Sequence, residues 1–291
     1  MNKIPEFIIK NKELVDKRLN ELLDSDGNIV SNAMQYSTSI GGKRIRPCIV
    51  IEFCKACGGN FQEALDFACA VEMVHTYSLI HDDLPCMDND DTRRGMPSCH
   101  IKYGYANALL AGDGLLTKAF EVVALSKFIS AENKVKAVSE LSNLSGISGM
   151  IGGQVLDLEF EKSTPSTEDI INMYKLKTGA LLALSAKLGC FAADADPALI
   201  NAAEEYAYNL GIAFQIVDDI LDVEGDEALL GKPIGSDAEQ SKNTYISNVG
   251  TKKAKQQVTY YTDKAISALS VFNGTENNLV DLANYLLNRN Y

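Results

Sequence analysis

The sequence predicts an all-α protein: a single-domain helical bundle over residues 1–291, closed around a deep central cavity. Three observations predict it. Apolar residues recur at helical spacing along nearly all of the 291-residue chain, while strand signals are scarce. No internal repeat or compositional break marks a linker, and 46% hydrophobic content with only seven prolines suits a continuous core. Two dense groups of aspartates border or interrupt apolar helical runs. Carboxylates that crowded need solvent or a shared cation, so the helices carrying them are expected to face each other.

The elements follow in order. Residues 5–23 read as an amphipathic surface helix, and 30–39 as a second one stopped by Gly41-Gly42. Helices over 47–58, with Pro47 in the first turn, and over 61–83, ended by Pro85, come next. A short helix from Ser98 to Tyr103 precedes one over 107–128. A long helical pattern covers 133–160, although Gly146, Gly149, Gly152 and Gly153 each cost it about 1 kcal/mol against alanine. Thr167-Glu-Asp-Ile170 opens another helix, and 198–223 carries the second aspartate group. A glycine-rich loop over 225–235 and helices over 252–270 and 275–288 finish the chain.

Bulk properties narrow the function. The net charge of −12, with no basic stripe, argues against nucleic-acid binding. The first ten residues lack a signal-peptide pattern, and no run reaches the roughly 20 apolar residues of a membrane span, so a cytoplasmic protein is expected. Seven cysteines, an odd number, suggest reduced thiols. Cys54-Lys-Ala-Cys57 has the spacing of a redox or zinc pair, but no second pair or His-x-x-His accompanies it, so buried thiols on a helix are the expected reading. Cys86 and Cys99 are expected to pack.

The chemistry gathers at Ser78-Leu-Ile-His-Asp-Asp-Leu-Pro-Cys-Met-Asp-Asn-Asp-Asp-Thr-Arg-Arg-Gly95. An EF-hand loop fails because Arg93 stands where the turn needs glycine. Magnesium suits the pattern, since it takes one or two carboxylates plus substrate phosphates. Arg93 and Arg94 then read as phosphate partners. In the second group Gln215, Asp218 or Asp219, and Asp222 lie on one helix face. Together the groups predict a metal-bound diphosphate held between two helices. Gly41-Gly-Lys-Arg-Ile-Arg-Pro47 is either a diphosphate cradle at a helix start or a charged helix–helix turn. Lys175-Leu-Lys-Thr-Gly179 either exposes a backbone carbonyl in mid-helix or is an ordinary helix with solvated lysines.

Asp-Asp-x-x-x-x-Asp at 82–88 and Asp-Asp-x-x-Asp at 218–222 resemble the two aspartate-rich motifs of the trans-isoprenyl diphosphate synthases. With Gly41-Gly-Lys-Arg-Ile-Arg-Pro47, Lys242-Asn-Thr-Tyr245 and Arg289-Asn290, the resemblance covers most of the chain. It is strongest to the bacterial short-chain farnesyl diphosphate synthases, or geranyltranstransferases. It implies the isoprenoid synthase fold, a homodimer, and a magnesium-dependent prenyltransferase. Such an enzyme condenses isopentenyl diphosphate with dimethylallyl and then geranyl diphosphate, giving farnesyl diphosphate and pyrophosphate.

Residue by residue, the resemblance assigns three magnesium ions to Asp82, Asp88 and Asp218, with Asp83, Asp219 and Asp222 supporting. It assigns isopentenyl diphosphate to Lys43, Arg46, Arg94 and His75. Arg93, Lys177 and Lys232 go to the allylic diphosphate, Lys242 to substrate binding without a choice of substrate, and the oxygen dipoles of Thr178 and Gln215 to the carbocation. Gln154 and Asp157 resemble the cavity wall. Tyr77 and Ser78, one turn before Asp82, with the insertion Leu84-Pro-Cys-Met87, resemble the pattern that limits products to C15. The alternatives are a geranyl or geranylgeranyl diphosphate synthase, a terpene cyclase, or a non-catalytic partner subunit. A cyclase needs no second diphosphate pocket, and a silent subunit would have lost an aspartate group.

Overall fold

The computed structural model of the protein describes residues 4–24, 27–224 and 243–287. Helices α1 (Glu6–Leu22), α2 (Ile29–Ser39), α3 (Ile45–Ala56) and α4 (Phe61–Asp82) lead to a small hairpin of β1 (Thr92–Arg93) and β2 (Met96–Pro97). Then come α5 (Cys99–Tyr103), α6 (Tyr105–Leu125), α7 (Ala131–Ser145), α8 (Met150–Phe160) and α9 (Thr167–Tyr174). A π-helical turn over Lys175–Gly179 runs into α10 (Ala180–Ala192), followed by α11 (Pro197–Glu224). The last described stretch holds α12 (Tyr245–Val249), α13 (Thr251–Ala268), a 3₁₀ turn (Leu269–Phe272) and α14 (Asn277–Leu287).

Helices α3, α4 and α10 are apolar on nearly every face, and a helix of that kind is stable only when surrounded. They pack on one another, and α1, α2, α6, α7, α11 and α14 cover them. Phe53 on α3 meets Tyr206 of α11 edge-on at 5.4 Å and Phe272 at 5.6 Å, tying the late helices to the middle of the bundle. Helix α11 serves two apolar clusters. Ala203, Tyr206, Ala207 and Leu210 belong to the main core. Ile212 and Ile216 join Ile170, Met173, Tyr174, Tyr245 and Ile246 in a second cluster beside the aspartates.

Several boundaries differ from the sequence expectation. The pattern over 133–160 is two helices, because the glycines let the chain turn sharply between them. A Cβ on Gly149 would lie 2.0 Å from the Leu144 carbonyl oxygen. Ser166, not Thr167, caps α9 and shares a capping box with Asp169. Helix α3 begins at Ile45, two residues earlier than Pro47 suggested. The hairpin was unexpected. Its turn residues Arg94 and Gly95 both have positive φ, the I′ geometry that matches strand twist. The short α12 was also unexpected. Cys86 is exposed rather than packed, and its sulfur accepts from the Tyr105 hydroxyl at 3.3 Å.

Candidate active site

The first aspartate group sits where α4 ends. Pro85 stops the helix, and Leu84-Pro-Cys-Met87 folds into a turn in which the Asp88 amide donates to the Asp82 carbonyl at 2.9 Å. The insertion therefore brings Asp88 back beside Asp82. Burial pushes the Asp82 carboxyl up to about 6; Lys177 opposes that rise, and Asp88 adds to it. A carboxylate desolvated beside a like charge has too little counter-charge even with Lys177 near, and a divalent cation would supply the rest. Asp83 points the other way. It is 2% exposed and forms a forked pair with Arg93, whose Nε donates to Oδ1 at 2.9 Å. Asp83 and Asp90 together fix the hairpin through Arg93.

The π turn faces this group. A π turn carries one extra residue per helical turn and is common at functional sites. Two glycines make room for it. A Cβ on Gly153 would lie 2.2 Å from the Lys177 nitrogen, and one on Gly211 would lie 2.7 Å from the Gly179 Cα. Lys177 Nζ donates to Asp157 Oδ2 at 2.5 Å. Burial works against its charge, but Asp157, then Asp82 and Asp88, outweigh that and hold its pKa above the ordinary value. The next residue turns to the other aspartate helix: Thr178 Oγ1 donates to Gln215 Oε1 at 3.0 Å. Consecutive side chains thus connect the two aspartate groups.

In the second group Asp219 is committed inward. Its Oδ2 accepts from the Tyr174 hydroxyl at 2.7 Å and from the Tyr245 amide at 2.9 Å. Asp222 is buried, and Asp218 is half-buried one turn after Gln215. Among the described residues no three acidic, histidine or cysteine side chains converge into a metal cage. The donor set suits magnesium shared with substrate phosphates better than an all-protein cage.

A second, basic region lies around Gly41-Gly42 and the hairpin. The Arg94 guanidinium donates to the Gly41 carbonyl, and a Cβ on Gly42 would lie 2.7 Å from it. Gly42 has φ +123, so both conformation and contact require glycine. Arg46 is pushed down to about 10, chiefly by burial, with Arg94 adding to it and Glu72 opposing. Its buried Nε lacks a hydrogen-bond partner, a donor waiting for an anion. Burial, then Arg46 and Arg94, hold His75 well below its ordinary value, so it is neutral at pH 7. Lys43 is exposed, with its ammonium 5.6 Å from the Tyr285 ring centre. A pocket of about 10 Å³, room for one water, separates Thr76 and Ile80 from Arg93 and Arg94.

Tyr77 is 5% exposed and lies edge-on to His81 with ring centres 5.6 Å apart; its buried hydroxyl lacks a partner. Ser78 spends its hydroxyl on the His75 carbonyl at 2.9 Å. Lys232, Lys242, Arg289, Asn290 and the 225–235 loop lie outside the described residues.

Sequence reasoning missed Arg44 and Glu72. Arg44 adopts φ 53 and buries its guanidinium among Asp16 (Nε–Oδ1 2.7 Å), Glu72 (2.6 Å) and the Thr38 carbonyl. It anchors the segment carrying Lys43 and Arg46 to α1, α2 and α4. The available signal was Glu72 itself, a charge inside the apolar run Ala70-Val-Glu-Met-Val74 that a buried helix tolerates only with a partner.

An all-α bundle with a lysine beside one aspartate group, a neighbouring threonine bonded to the helix of a second, and an arginine pocket near the first defines a class of diphosphate-handling proteins. The chain belongs to the polyprenyl synthetase family, whose profile matches residues 27–270. It is 41% identical to the farnesyl diphosphate synthase of Bacillus subtilis, over 91% of this chain and 90% of that protein. It is 40% identical to the geranylgeranyl diphosphate synthase of Cyanophora paradoxa, over 98% of this chain and 96% of that one. The solved apo structure of an FPP/GFPP synthase from Zymomonas mobilis superposes with a TM-score of 0.86 at 33% identity, covering 96% of this chain and 97% of that one.

Proposed function

We propose that this chain elongates prenyl chains. It joins isopentenyl diphosphate head-to-tail to dimethylallyl and then geranyl diphosphate, and releases farnesyl diphosphate and pyrophosphate. The observation that carries this reading is the pairing of two anion sites: the first aspartate group with Lys177 beside Asp82 and Asp88, and the basic pocket of Arg46, Arg94 and neutral His75. A cyclase needs only the first. Relatives named for both C15 and C20 products leave length to the local residues, and the Tyr77 ring beside His81 favours C15.

Magnesium, when bound through Asp82, Asp88 and Asp218, supplies positive charge to the diphosphate leaving group. The chain's own residues do the rest. Lys177 adds an ammonium beside Asp82, and Arg93, braced by Asp83, keeps the hairpin and Arg94 in register. Thr178 donates its proton to Gln215, which leaves the lone pairs of its oxygen free to stabilise an allylic cation. No side chain in the basic pocket serves as a strong base: His75 is neutral but ringed by guanidiniums. The departing diphosphate therefore takes the final proton.

The working unit is a homodimer of one-domain subunits in the cytoplasm. Ile101, Tyr105, Leu109 and Leu110 form an exposed apolar face on α5 and α6 that a second copy would cover. Among the described residues no helix is long and apolar enough to cross a membrane.

Two outcomes test the allocation of sites. Arg94→Ala should raise KM for isopentenyl diphosphate by about 10-fold or more with a smaller change for geranyl diphosphate, since a lost charge-assisted contact is worth about 1.5–3 kcal/mol. Equal rises for both substrates would refute the separate pocket. Tyr77→Ala should shift the dephosphorylated products from C15 toward C20 and longer, read by chromatography. An unchanged C15 profile would remove Tyr77 as the floor, and a C20 product from the unmodified chain would overturn the farnesyl assignment.

A further inference from the structure

A thiol cluster lies at the end of the bundle remote from the aspartates. Cys57 caps α3 just before α4, and α4 is 22 residues long, so this end lies about 30 Å from Asp82. The cluster is independent of the prenyl-transfer reading. Cys57 and Cys190 of α10 face each other with sulfurs 3.8 Å apart. The spacing Cys54-Lys-Ala-Cys57 suggests that Cys54 is the partner, but Cys54 turns its thiol to the Asn60 carbonyl at 3.4 Å. We propose that Cys57 and Cys190 form an oxidisable dithiol, which a peroxide converts to a disulfide linking α3 to α10.

The geometry permits closure. Helix α10 comes against α3 at Gly189, where a Cβ would lie 2.4 Å from the Val50 carbonyl oxygen. Bonding requires the sulfurs to close to about 2.05 Å, within reach of side-chain rotation from contact distance. Access is through Cys57, which is only partly buried, while Cys190 is sealed behind it. The roles differ. Cys57 is half-buried and Cys190 fully buried. The contact with Cys190 holds the Cys57 thiol below its ordinary value against burial, while Cys190 is held well above its own. Cys57 is the nucleophile and Cys190 the resolving thiol.

The Cys57 thiolate attacks one peroxide oxygen. An S–O bond forms, the O–O bond breaks, and hydroxide leaves with a proton as water. Cys190 then attacks the sulfenic sulfur: the S–S bond forms, the S–O bond breaks, and a second water leaves with the Cys190 proton. Two thiols are oxidised and one peroxide is reduced. The link closes a loop with its ends 133 residues apart and so constrains the unfolded chain.

Hydrogen peroxide treatment of the full-length folded protein, thiol blocking and non-reducing peptide mapping test this. The expected result is a Cys57–Cys190 cross-linked peptide, reversed by dithiothreitol, with an unfolding temperature raised by roughly 5–10 °C. Cys190→Ser should abolish both, and Cys54→Ser neither. Exposed Cys86 reports that oxidant arrived. Oxidised Cys86 with Cys57 and Cys190 both still free, or a Cys54–Cys57 bridge instead, would overturn the proposal, whichever variants fold.

Discussion

Asp82→Ala is expected to lower turnover by about 10³-fold or more, some 4 kcal/mol of transition-state stabilisation, with the helical signal and unfolding temperature little changed. The reason is local. Asp82 is kept in an environment that raises its carboxyl to about 6, so its charge is costly to the empty protein and valuable only when a cation and a diphosphate arrive. Removing it relieves a burden on the fold while it removes charge complementarity where the leaving group departs. Asp218→Ala should behave alike. Asp219→Ala should differ: it strands the Tyr174 hydroxyl and the Tyr245 amide, so it should cost stability as well as rate. Single-turnover kinetics beside thermal melts separate the two patterns. A fall of less than tenfold in Asp82→Ala would be hard to reconcile with this site.

Arg44→Met is expected to destabilise the protein by about 3–5 kcal/mol in urea unfolding. The guanidinium is nearly inaccessible and sits between Asp16 and Glu72, and Glu72 is itself 2% exposed. Losing the arginine leaves a buried carboxylate uncompensated, and that penalty is the larger part of the effect. Replacing Arg44 and Glu72 together with apolar residues should therefore recover most of the loss. Since Arg44 also anchors the segment of Lys43 and Arg46, the double variant should fold yet keep a raised KM for isopentenyl diphosphate. Stability that stays low in the double variant would count against the ion-pair explanation.

Much of this was legible in the sequence, for reasons particular residues make plain. The all-α class follows from periodicity and the cation site near 82–91 from like charges at short spacing, while the choice of Asp82 and Asp88 within it comes from the family resemblance. What the sequence hid was direction. Asp82 and Asp83 are adjacent and chemically identical, yet one faces Lys177 and the other is sealed against Arg93. Asp219 is likewise buried against the Tyr174 hydroxyl and the Tyr245 amide while Asp218 is half-buried, because an adjacent pair on a helix points about 100° apart and only packing decides which side is the core. Backbone irregularity was equally hidden. Lys-Leu-Lys-Thr-Gly reads as helix, and the widened turn there exists because Gly153 and Gly211 let two neighbours press against it. Arg44 escaped notice because three cations in four residues look alike until the left-handed backbone turns one inward.

The central claim is that the two aspartate helices grip one diphosphate through divalent ions while the arginine pocket holds another. Its most direct test incubates the purified chain alone, stripped with a chelator, with isopentenyl and geranyl diphosphates, and measures pyrophosphate and prenyl products as magnesium is restored. The account predicts no turnover in the stripped protein and C15 product with stoichiometric pyrophosphate once magnesium returns. Undiminished elongation after thorough chelation, or pyrophosphate release from geranyl diphosphate without use of isopentenyl diphosphate, would contradict it.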